Sequence, residues 1–154
     1  MNKVLLLLTT FITLVNLVEA QEAKQIALGV GVEGNMNTRQ DAALGSTVSA
    51  GYGIFPNLAA GIKFGFSHNM ARIMTLEPEV FVRWYIWELK YFSFFAQAGV
   101  GTSVIFEDKE SHPAVLGNLA AGLRIPLKQW YAEPYLRTGY PFIWGAGMSA
   151  GYRF

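Results

Sequence analysis

A strict alternation of side-chain size is the sequence feature that most limits how this chain can fold. After residue 20, apolar residues recur at every second position, and no apolar run approaches the length of about 20 residues that a membrane-spanning helix needs. Residues 58–67 illustrate the pattern: Leu58, Ala60, Ile62, Phe64 and Phe66 alternate with Ala59, Gly61, Lys63, Gly65 and Ser67. A period of two places the two rows on opposite faces of a β-strand. The chain is therefore predicted to be all-β.

Eight segments carry this alternation, and they span residues 25–33, 44–54, 58–67, 75–86, 92–103, 115–125, 132–140 and 146–154. A strand of about 9–11 residues is long enough to cross a bilayer. One row of each segment is large and apolar, whereas the other holds glycine, small residues and occasional charges. A soluble barrel would place its bulky row inside and its charges outside. The pattern instead predicts a closed, eight-stranded antiparallel transmembrane β-barrel, since closure leaves no unpaired strand edge in hydrocarbon.

Composition supports a membrane environment and excludes several classes of site. Hydrophobic residues make up 52% of the chain and charged residues 15%, whereas a soluble domain carries about 25% charged residues. The net charge of +1 gives no indication of a nucleic-acid partner. The chain has no cysteine, which excludes a disulfide framework, a thiolate metal site and a lipid-anchoring cysteine.

The first 20 residues have the pattern of a cleaved secretory signal. Met1-Asn2-Lys3 gives a short positive start, residues 4–18 form the apolar run, and Val18-Glu19-Ala20 fits a cleavage site. The apolar run is shorter than a membrane-spanning helix. We therefore predict a signal peptide at residues 1–20 and a barrel domain at residues 21–154, exported across the inner membrane.

The connections between strands predict the orientation of the barrel. Short turns near residues 55–57, 87–90 and 126–130 are expected on the periplasmic side with both termini, and longer connections at 34–43, 68–74, 106–113 and 141–144 outside. Aromatic residues near the strand ends are expected to form the two interfacial girdles of such barrels. The periplasmic set is Phe55, Trp84, Trp87, Trp130, Tyr131, Tyr152 and Phe154, and the outer set is Phe66, Phe106, Tyr140, Phe142 and Trp144.

Three segments carry a family resemblance: 78–85 (PEVFVRWY), 94–101 (FFAQAGVG) and the C-terminal 151–154 (GYRF). With them the chain resembles the small bacterial outer-membrane β-barrels of the OmpA/OmpX type. The resemblance implies residence in the cell outer membrane. It also implies three partners: outer-membrane lipids, the barrel-assembly machinery and periplasmic chaperones during biogenesis. Tyr152 and Phe154 resemble the C-terminal signal that such proteins present for assembly. The extracellular ligand stays unknown.

Charged residues on the inward row predict a network inside the barrel. Its members are Lys63, Glu77, Glu79, Arg83, Arg124, Glu133, Arg137 and Arg153. Buried charges must pair, because an unpaired one is costly. Hairpin geometry places Arg124 near Glu133, with Arg153 on the adjoining strand. An eight-stranded barrel has room inside only for side chains, so the network is expected to plug the lumen.

Other candidate features predict less. Pro78 and Pro134 fall within strands and are expected to mark bulges or strand starts near a rim. Gly29, Gly31 and Gly34 fit G-x-G-x-x-G, but they lie inside a strand pattern and not before a helix, so no cofactor is assigned. Ser67-His68 and Asp108, Ser111 and His112 are placed in outer loops as solvated residues. No catalytic or metal-binding residue is assigned.

The predicted function is that of a structural or surface-exposed outer-membrane protein with a plugged lumen, not an enzyme. A narrow porin for small solutes is the first alternative. A lipid-modifying enzyme of the outer membrane and a soluble, lipocalin-like periplasmic barrel are further alternatives.

Overall fold

A computed structural model describes residues 25–37, 42–69, 73–89, 91–107 and 110–154. The predicted signal segment, residues 1–20, lies outside these ranges and stays a prediction. The described residues form eight strands: β1 Ile26–Met36, β2 Ala42–Phe55, β3 Leu58–Asn69, β4 Met74–Leu89, β5 Phe92–Glu107, β6 Glu110–Leu127, β7 Trp130–Tyr140 and β8 Trp144–Arg153.

Each strand pairs antiparallel with the next, and β8 pairs with β1 to close the barrel. Val30 lies opposite Ala150 in this closing pair, and the Phe154 amide donates to the Ile26 carbonyl at 2.9 Å. The predicted closed barrel of eight antiparallel strands is confirmed. We call the end with Ile26, Arg153 and the turns at 56–57 and 128–129 the termini end, and the opposite end the loop end.

The two faces of the barrel wall have opposite character. Large apolar side chains point outward and are exposed, among them Leu44 at 78% and Val115 at 83%. Inward side chains are largely polar or charged and buried, including Glu77 at 1% and Arg137 at 3%. A barrel in water would reverse this arrangement, so the exterior suits hydrocarbon. In the described part of the chain, no helix is long and apolar enough to span a membrane.

The strands continue further toward the loop end than the alternation predicts. β5 and β6 form a hairpin in which Ile105 pairs with His112 and Glu107 with Glu110. Ser67 and His68 belong to β3, where they pair with Thr75 and Met74. The prediction that His68, Ser111 and His112 lie in loops is therefore wrong, because ladder hydrogen bonds extend where the size alternation fades. Ser67 is not a loop residue either, and it keeps the strand position that the alternation over residues 58–67 predicts. Asp108 lies outside the described residues.

The two prolines interrupt the ladder without shifting it, so the prediction of bulges or strand starts is wrong. Pro78 lies inside β4, and the flanking pairs Leu76–Val104 and Glu79–Gly101 keep one register. The ladder between β6 and β7 is interrupted in the same way beside Pro134. A proline removes one donor but inserts no extra residue, so the register continues past it. The register shifts of the barrel lie instead at the termini end, between Gly53 and Phe55 and between Tyr85 and Trp87.

Glycines allow the neighbouring strand to approach each proline closely. A Cβ atom added at Gly101 would collide with the carbonyl of Pro78, and one added at Gly122 would lie 2.5 Å from the carbonyl of Pro134. Only a residue without a side chain fits at such distances. The small inward row of β5 and β6 is thus part of what accommodates the prolines.

Most of the predicted aromatic girdle residues face outward at the two ends. The termini end exposes Phe55, Trp84, Trp87, Trp130 and Phe154, with Tyr152 half-buried beside them, and the loop end exposes Phe66, Phe106, Tyr140 and Trp144. Tyr131 and Phe142 are exceptions, since both are buried. Tyr131 shares the inward row of β7 with Glu133, and Phe142 lies in the connection between β7 and β8. Their assignment to the girdles is wrong because position near a strand end does not determine the face.

Candidate functional site

The lumen is the candidate functional site because it gathers almost all of the buried charge. Two groups of inward side chains occupy it at different heights. We call Arg83, Arg124 and Glu133 the termini-end cluster. We call Glu33, Lys63, Glu77, Glu79 and Arg137 the loop-end cluster.

Glu133 is the centre of the termini-end cluster. Its Oε1 accepts hydrogen bonds from Arg83 Nη1 at 2.7 Å and from Arg124 Nε at 2.6 Å. Its Oε2 accepts from Ser149 Oγ at 3.3 Å. Arg83 also donates from Nε and Nη2 to Gln97 Oε1, at 3.0 and 2.8 Å. One carboxylate therefore holds two guanidinium groups that belong to β4 and β6.

Aromatic rings cover both guanidinium groups. Arg83 lies 4.3 Å from the ring centre of Phe95, and Arg124 lies 4.2 Å from that of Tyr131 and 5.0 Å from that of Tyr85. The negative face of a ring attracts a cation at such distances. A glycine makes room for one of these rings, since a Cβ atom at Gly151 would collide with Tyr131. The cluster is held by ion pairs and by packing together.

Arg137 connects two carboxylates in the loop-end cluster. Its Nη1 donates to Glu33 Oε1 and to Glu77 Oε2, both at 2.8 Å. Lys63 Nζ lies 3.6 Å from Glu79 Oε1 and 3.9 Å from Glu33 Oε2. The cluster thus links strands β1, β3, β4 and β7 across the lumen.

Neutral side chains supply further donors to the same carboxylates. Tyr135 OH donates to Glu33 Oε2 at 2.9 Å, and Asn35 Nδ2 donates to Glu33 Oε1 at 2.8 Å. Asn118 Nδ2 donates to Glu79 Oε2. Charge-assisted hydrogen bonds of this kind are stronger than neutral ones. They offset part of the cost of placing three carboxylates inside the barrel.

Several buried polar atoms in the loop-end half have no hydrogen-bond partner among the described residues. They are Glu77 Oε1, Glu79 Oε1, Arg137 Nε and Nη2, Asn35 Oδ1, Ser67 Oγ and Ser103 Oγ. Each unsatisfied atom carries a desolvation cost. The loop-end cluster is therefore less completely satisfied than the termini-end cluster, where every polar atom of Glu133 and Arg83 is bonded or accessible.

The formal charges of the two clusters differ in sign. Two guanidinium groups share one carboxylate at the termini end, whereas two cations face three carboxylates at the loop end. The lumen is basic toward the termini and acidic toward the loops. Charges in a low-dielectric interior act over longer distances than in water. The difference in charge between the two clusters is therefore felt along the whole lumen.

Seven of the eight residues predicted for the charge network lie in these two clusters: Lys63, Glu77, Glu79, Arg83, Arg124, Glu133 and Arg137. Arg153 does not join them. It lies at the termini end, where its Nη2 donates to the Lys128 carbonyl at 2.7 Å, because it is the last residue of β8 and reaches the rim.

Sequence reasoning missed several contributors to the network. Glu33 is the most important, since it contacts both Lys63 and Arg137. Its parity with Gly29 and Gly31 on the inward row of β1 was the signal for its position. Parity also places three neutral residues on the inward face: Gln97, Asn118 and Tyr135. Because they carry no charge, the sequence does not indicate that they hydrogen-bond to the charged residues of the network.

Within the described part of the chain, the serine and histidine residues predicted for the outer loops do not form a pair of nucleophile and base. Ser67 and His68 are consecutive in β3, so their side chains point to opposite faces. Ser67 is buried in the lumen and His68 is exposed. His112 lies on β6, and its Nε2 is 3.6 Å from an exposed oxygen of Glu110. The glycines of the G-x-G-x-x-G pattern lie within β1, where no helix follows in the described residues.

Cavities lie at both ends of the lumen. A cavity of about 40 Å³ lies at the termini end, and one of about 280 Å³ lies at the loop end. Leu116, at 0% exposure, and Phe142 are buried toward the loop end along with the ion pairs. Arg137 lies 5.9 Å from the ring centre of Phe142. Buried polar side chains and buried apolar side chains thus both lie in the lumen.

The fold is similar to that of solved outer-membrane barrels. The N-terminal β-barrel domain of OprF from Pseudomonas aeruginosa matches with a TM-score of 0.62 and 14% identity, over 86% of this chain and 98% of that one. Neisserial surface protein A matches with a TM-score of 0.59 and 9% identity, over 84% and 94%.

Ail, the attachment invasion locus protein of Yersinia pestis, matches with a TM-score of 0.57 and 12% identity, over 86% of this chain and 100% of that one. No protein-family model matches the sequence, and no curated protein matches it. At these identities the likeness is one of fold: the chain has the fold of the small, eight-stranded outer-membrane β-barrels.

Proposed function

We propose that this protein is an integral protein of the bacterial outer membrane, with a structural or surface-exposed role and a lumen plugged by side chains. The single observation that carries the proposal is the reversed distribution of residues: an exposed apolar exterior around a buried, charged interior. Hydrocarbon stabilises such an exterior, and water does not. The likeness of fold to OprF, Ail and neisserial surface protein A supports the same location.

The proposed orientation places both termini in the periplasm. The turns at 56–57 and 128–129 lie at the termini end and are tight, which is typical of the periplasmic side of such barrels. The predicted signal peptide would deliver the chain there. Exposed aromatic residues at both ends suit the headgroup regions of outer-membrane lipids, which are the first proposed partner.

The C-terminal residues support a proposed role in assembly. Phe154 is exposed on the outer surface and Tyr152 is half-buried there. The Tyr152 ring makes edge-to-face contacts with Trp130 and with Phe154, so the three rings form an aromatic row. Tyr152 OH also donates to Gln129 Oε1 at 2.6 Å. We propose that this aromatic row is what the barrel-assembly machinery recognises, after periplasmic chaperones deliver the chain.

Conductance in a planar lipid bilayer tests the plugged lumen. The barrier formed by Arg83, Arg124, Glu133 and Arg137 predicts no ohmic steps for the refolded protein. Steady conductance steps would contradict the plug and favour the second candidate, a narrow porin. That candidate draws support from the polar lining and from the cavities at both ends.

A pair of variants separates a plug from a gated pore. Arg137→Ala removes the side chain that connects Glu33 and Glu77 near the centre of the lumen. It is expected to introduce conductance where the unchanged protein has none. His112→Ala, on the exposed part of β6, is the matched control and is expected to stay silent.

Two remaining alternatives have their own tests. A lipid-modifying activity predicts that a His68→Ala, His112→Ala double variant changes the lipid composition of the host membrane, whereas we expect no change. A soluble periplasmic barrel predicts a monodisperse protein without detergent, whereas the exposed apolar exterior predicts aggregation under the same conditions.

A further inference from the structure

The cavity at the termini end of the lumen has the properties of an anion-binding site. We propose that it binds a small inorganic oxyanion, such as phosphate or sulfate, through Arg124 and Arg153. This inference goes beyond the proposed structural role, because it assigns a ligand class to a site inside the barrel.

The cavity has a suitable size and position. It encloses about 40 Å³ and lies beneath the β2–β3 turn, where Pro56 and Leu58 form part of its wall. A water molecule needs roughly 10–15 Å³ of such space, so the cavity accommodates about three waters or one small oxyanion. Arg83, Arg124, Arg153, Tyr131 and Ser49 also line it.

The charge of the lining favours an anion. Three arginines line the cavity, and Glu133 is the one carboxylate paired with any of them in the described part of the chain. Glu133 already divides a single oxygen, Oε1, between Arg83 and Arg124. The site therefore keeps a surplus of positive charge that a bound anion would neutralise.

Arg124 and Arg153 keep N–H groups that could donate hydrogen bonds to the oxygens of an oxyanion. Glu133 engages Arg124 at Nε, and none of the hydrogen bonds found for this guanidinium within the described residues uses Nη1 or Nη2. Arg153 uses Nη2 for the Lys128 carbonyl, and its Nε is buried with no hydrogen-bond partner among those residues. Guanidinium groups bind phosphate and sulfate oxygens in pairs.

The surrounding rings hold the Arg124 guanidinium in place before any ligand arrives. Tyr131 and Tyr85 lie against it, and the Tyr131 hydroxyl donates to the Leu28 carbonyl at 3.2 Å. A donor that is already fixed loses little freedom on binding. The Arg124 guanidinium is thus already in its binding position before the anion arrives.

Calorimetric titration of the refolded protein with inorganic phosphate, in a zwitterionic detergent at constant ionic strength, tests the proposal. We expect saturable binding of one phosphate per barrel. Arg153→Gln removes a cation that has no carboxylate partner among the described residues, so the fold is expected to persist while the affinity falls by about tenfold. Arg124→Gln is expected to abolish binding.

Lys128→Gln is the matched control, because it removes the same charge from the same end of the barrel but does not line the cavity. It is expected to bind phosphate as the unchanged protein does. The absence of saturable binding would overturn the proposal. An equal loss in Lys128→Gln and Arg153→Gln would also overturn it, since that result indicates general charge attraction. Should Arg124→Gln fail to fold, the comparison of these two variants still decides.

Discussion

At the termini end of the lumen two arginines share one carboxylate, whereas at the loop end two cations are divided among three carboxylates. The first cluster is stacked against aromatic rings and leaves few atoms without partners. The second leaves several buried oxygens and nitrogens unbonded within the described residues. The termini-end cluster is therefore rigid but depends on a single carboxylate. The loop-end cluster has more than one carboxylate for its cations, but several of its polar atoms lack a hydrogen-bond partner among the described residues.

Redundancy decides how each cluster responds to a lost partner. Arg137 keeps Glu33 when Glu77 is neutralised, because its Nη1 contacts both carboxylates. Arg83 and Arg124 have no second carboxylate within the described network when Glu133 is neutralised. We therefore expect the two ends to differ in the free energy of unfolding per substitution.

The largest expected effect comes from Glu133→Gln. Two buried guanidinium groups lose their shared counter-charge, and breaking a buried pair in this way costs about 3–5 kcal/mol. Glu77→Gln, the matched change in the loop-end cluster, is expected to cost less than about 1.5 kcal/mol. Urea unfolding in detergent, followed by tryptophan fluorescence, measures both. Equal costs would remove the distinction between the clusters.

A second prediction concerns the loss of stability when alanine replaces a glycine against which an aromatic ring packs. An alanine Cβ at Gly147 would lie 2.5 Å from Tyr135 Cζ, and such overpacking costs about 1–3 kcal/mol. Gly34→Ala is the control, because nothing lies within 4 Å of the added atom. The unfolding free energies of both variants can be compared in the same urea titration.

Double variants distinguish the two ends further. The three nearest atoms to the added Cβ at Gly147 all belong to Tyr135, so Tyr135→Ala is expected to relieve the cost of Gly147→Ala. At Gly151 the added atom would meet the Leu28 carbonyl as well as Tyr131. Tyr131→Ala is therefore expected to leave much of the cost of Gly151→Ala in place. Complete rescue at both positions would contradict the described packing.

Removing a buried serine hydroxyl is expected to change the free energy of unfolding only slightly, and in opposite directions at the two ends of the lumen. Ser103 Oγ is buried with no partner among the described residues, so Ser103→Ala is expected to be neutral or to stabilise the barrel slightly. Ser149 Oγ donates to Glu133, and Ser149→Ala is expected to cost about 1 kcal/mol. Thermal or urea unfolding of the two variants reports the sign. A larger loss in Ser103→Ala would show that its hydroxyl has a partner.

The smallest effect is expected outside the lumen. Glu110 Oε2 lies 3.6 Å from His112 Nε2 on the exposed part of β6, and exposed pairs contribute about 0–1 kcal/mol even when both groups are ionised. Glu110→Gln is expected to leave the urea midpoint unchanged within error. A clear loss of stability would mean that this hairpin is packed against something other than solvent.

The alternation of residues was sufficient to predict the fold, because a period of two determines which face each side chain takes. It also placed Arg124 and Glu133 on one face, where the hairpin brings them together. Parity also places Glu33 and Tyr131 on the inward rows of β1 and β7, and both are buried. The face of a residue is thus predictable from one strand, whereas its partner across the lumen is not.

Other features depend on contacts between strands and were not accessible from the sequence. The close approach of β5 to Pro78 depends on Gly101, on the neighbouring strand. The loop-end extension of β5 and β6 depends on backbone pairing that side-chain size does not report. The division of the lumen into a basic and an acidic half likewise appears only when the strands are arranged around the barrel.

A gel comparison of boiled and unboiled samples of the refolded protein in dodecyl sulfate is the first measurement to make. A closed transmembrane strand ladder has no edge for the detergent to attack, so the folded barrel is expected to migrate differently from the boiled chain. Identical migration, together with a protein that stays monodisperse without detergent, would contradict a lipid-facing apolar exterior and a charged lumen.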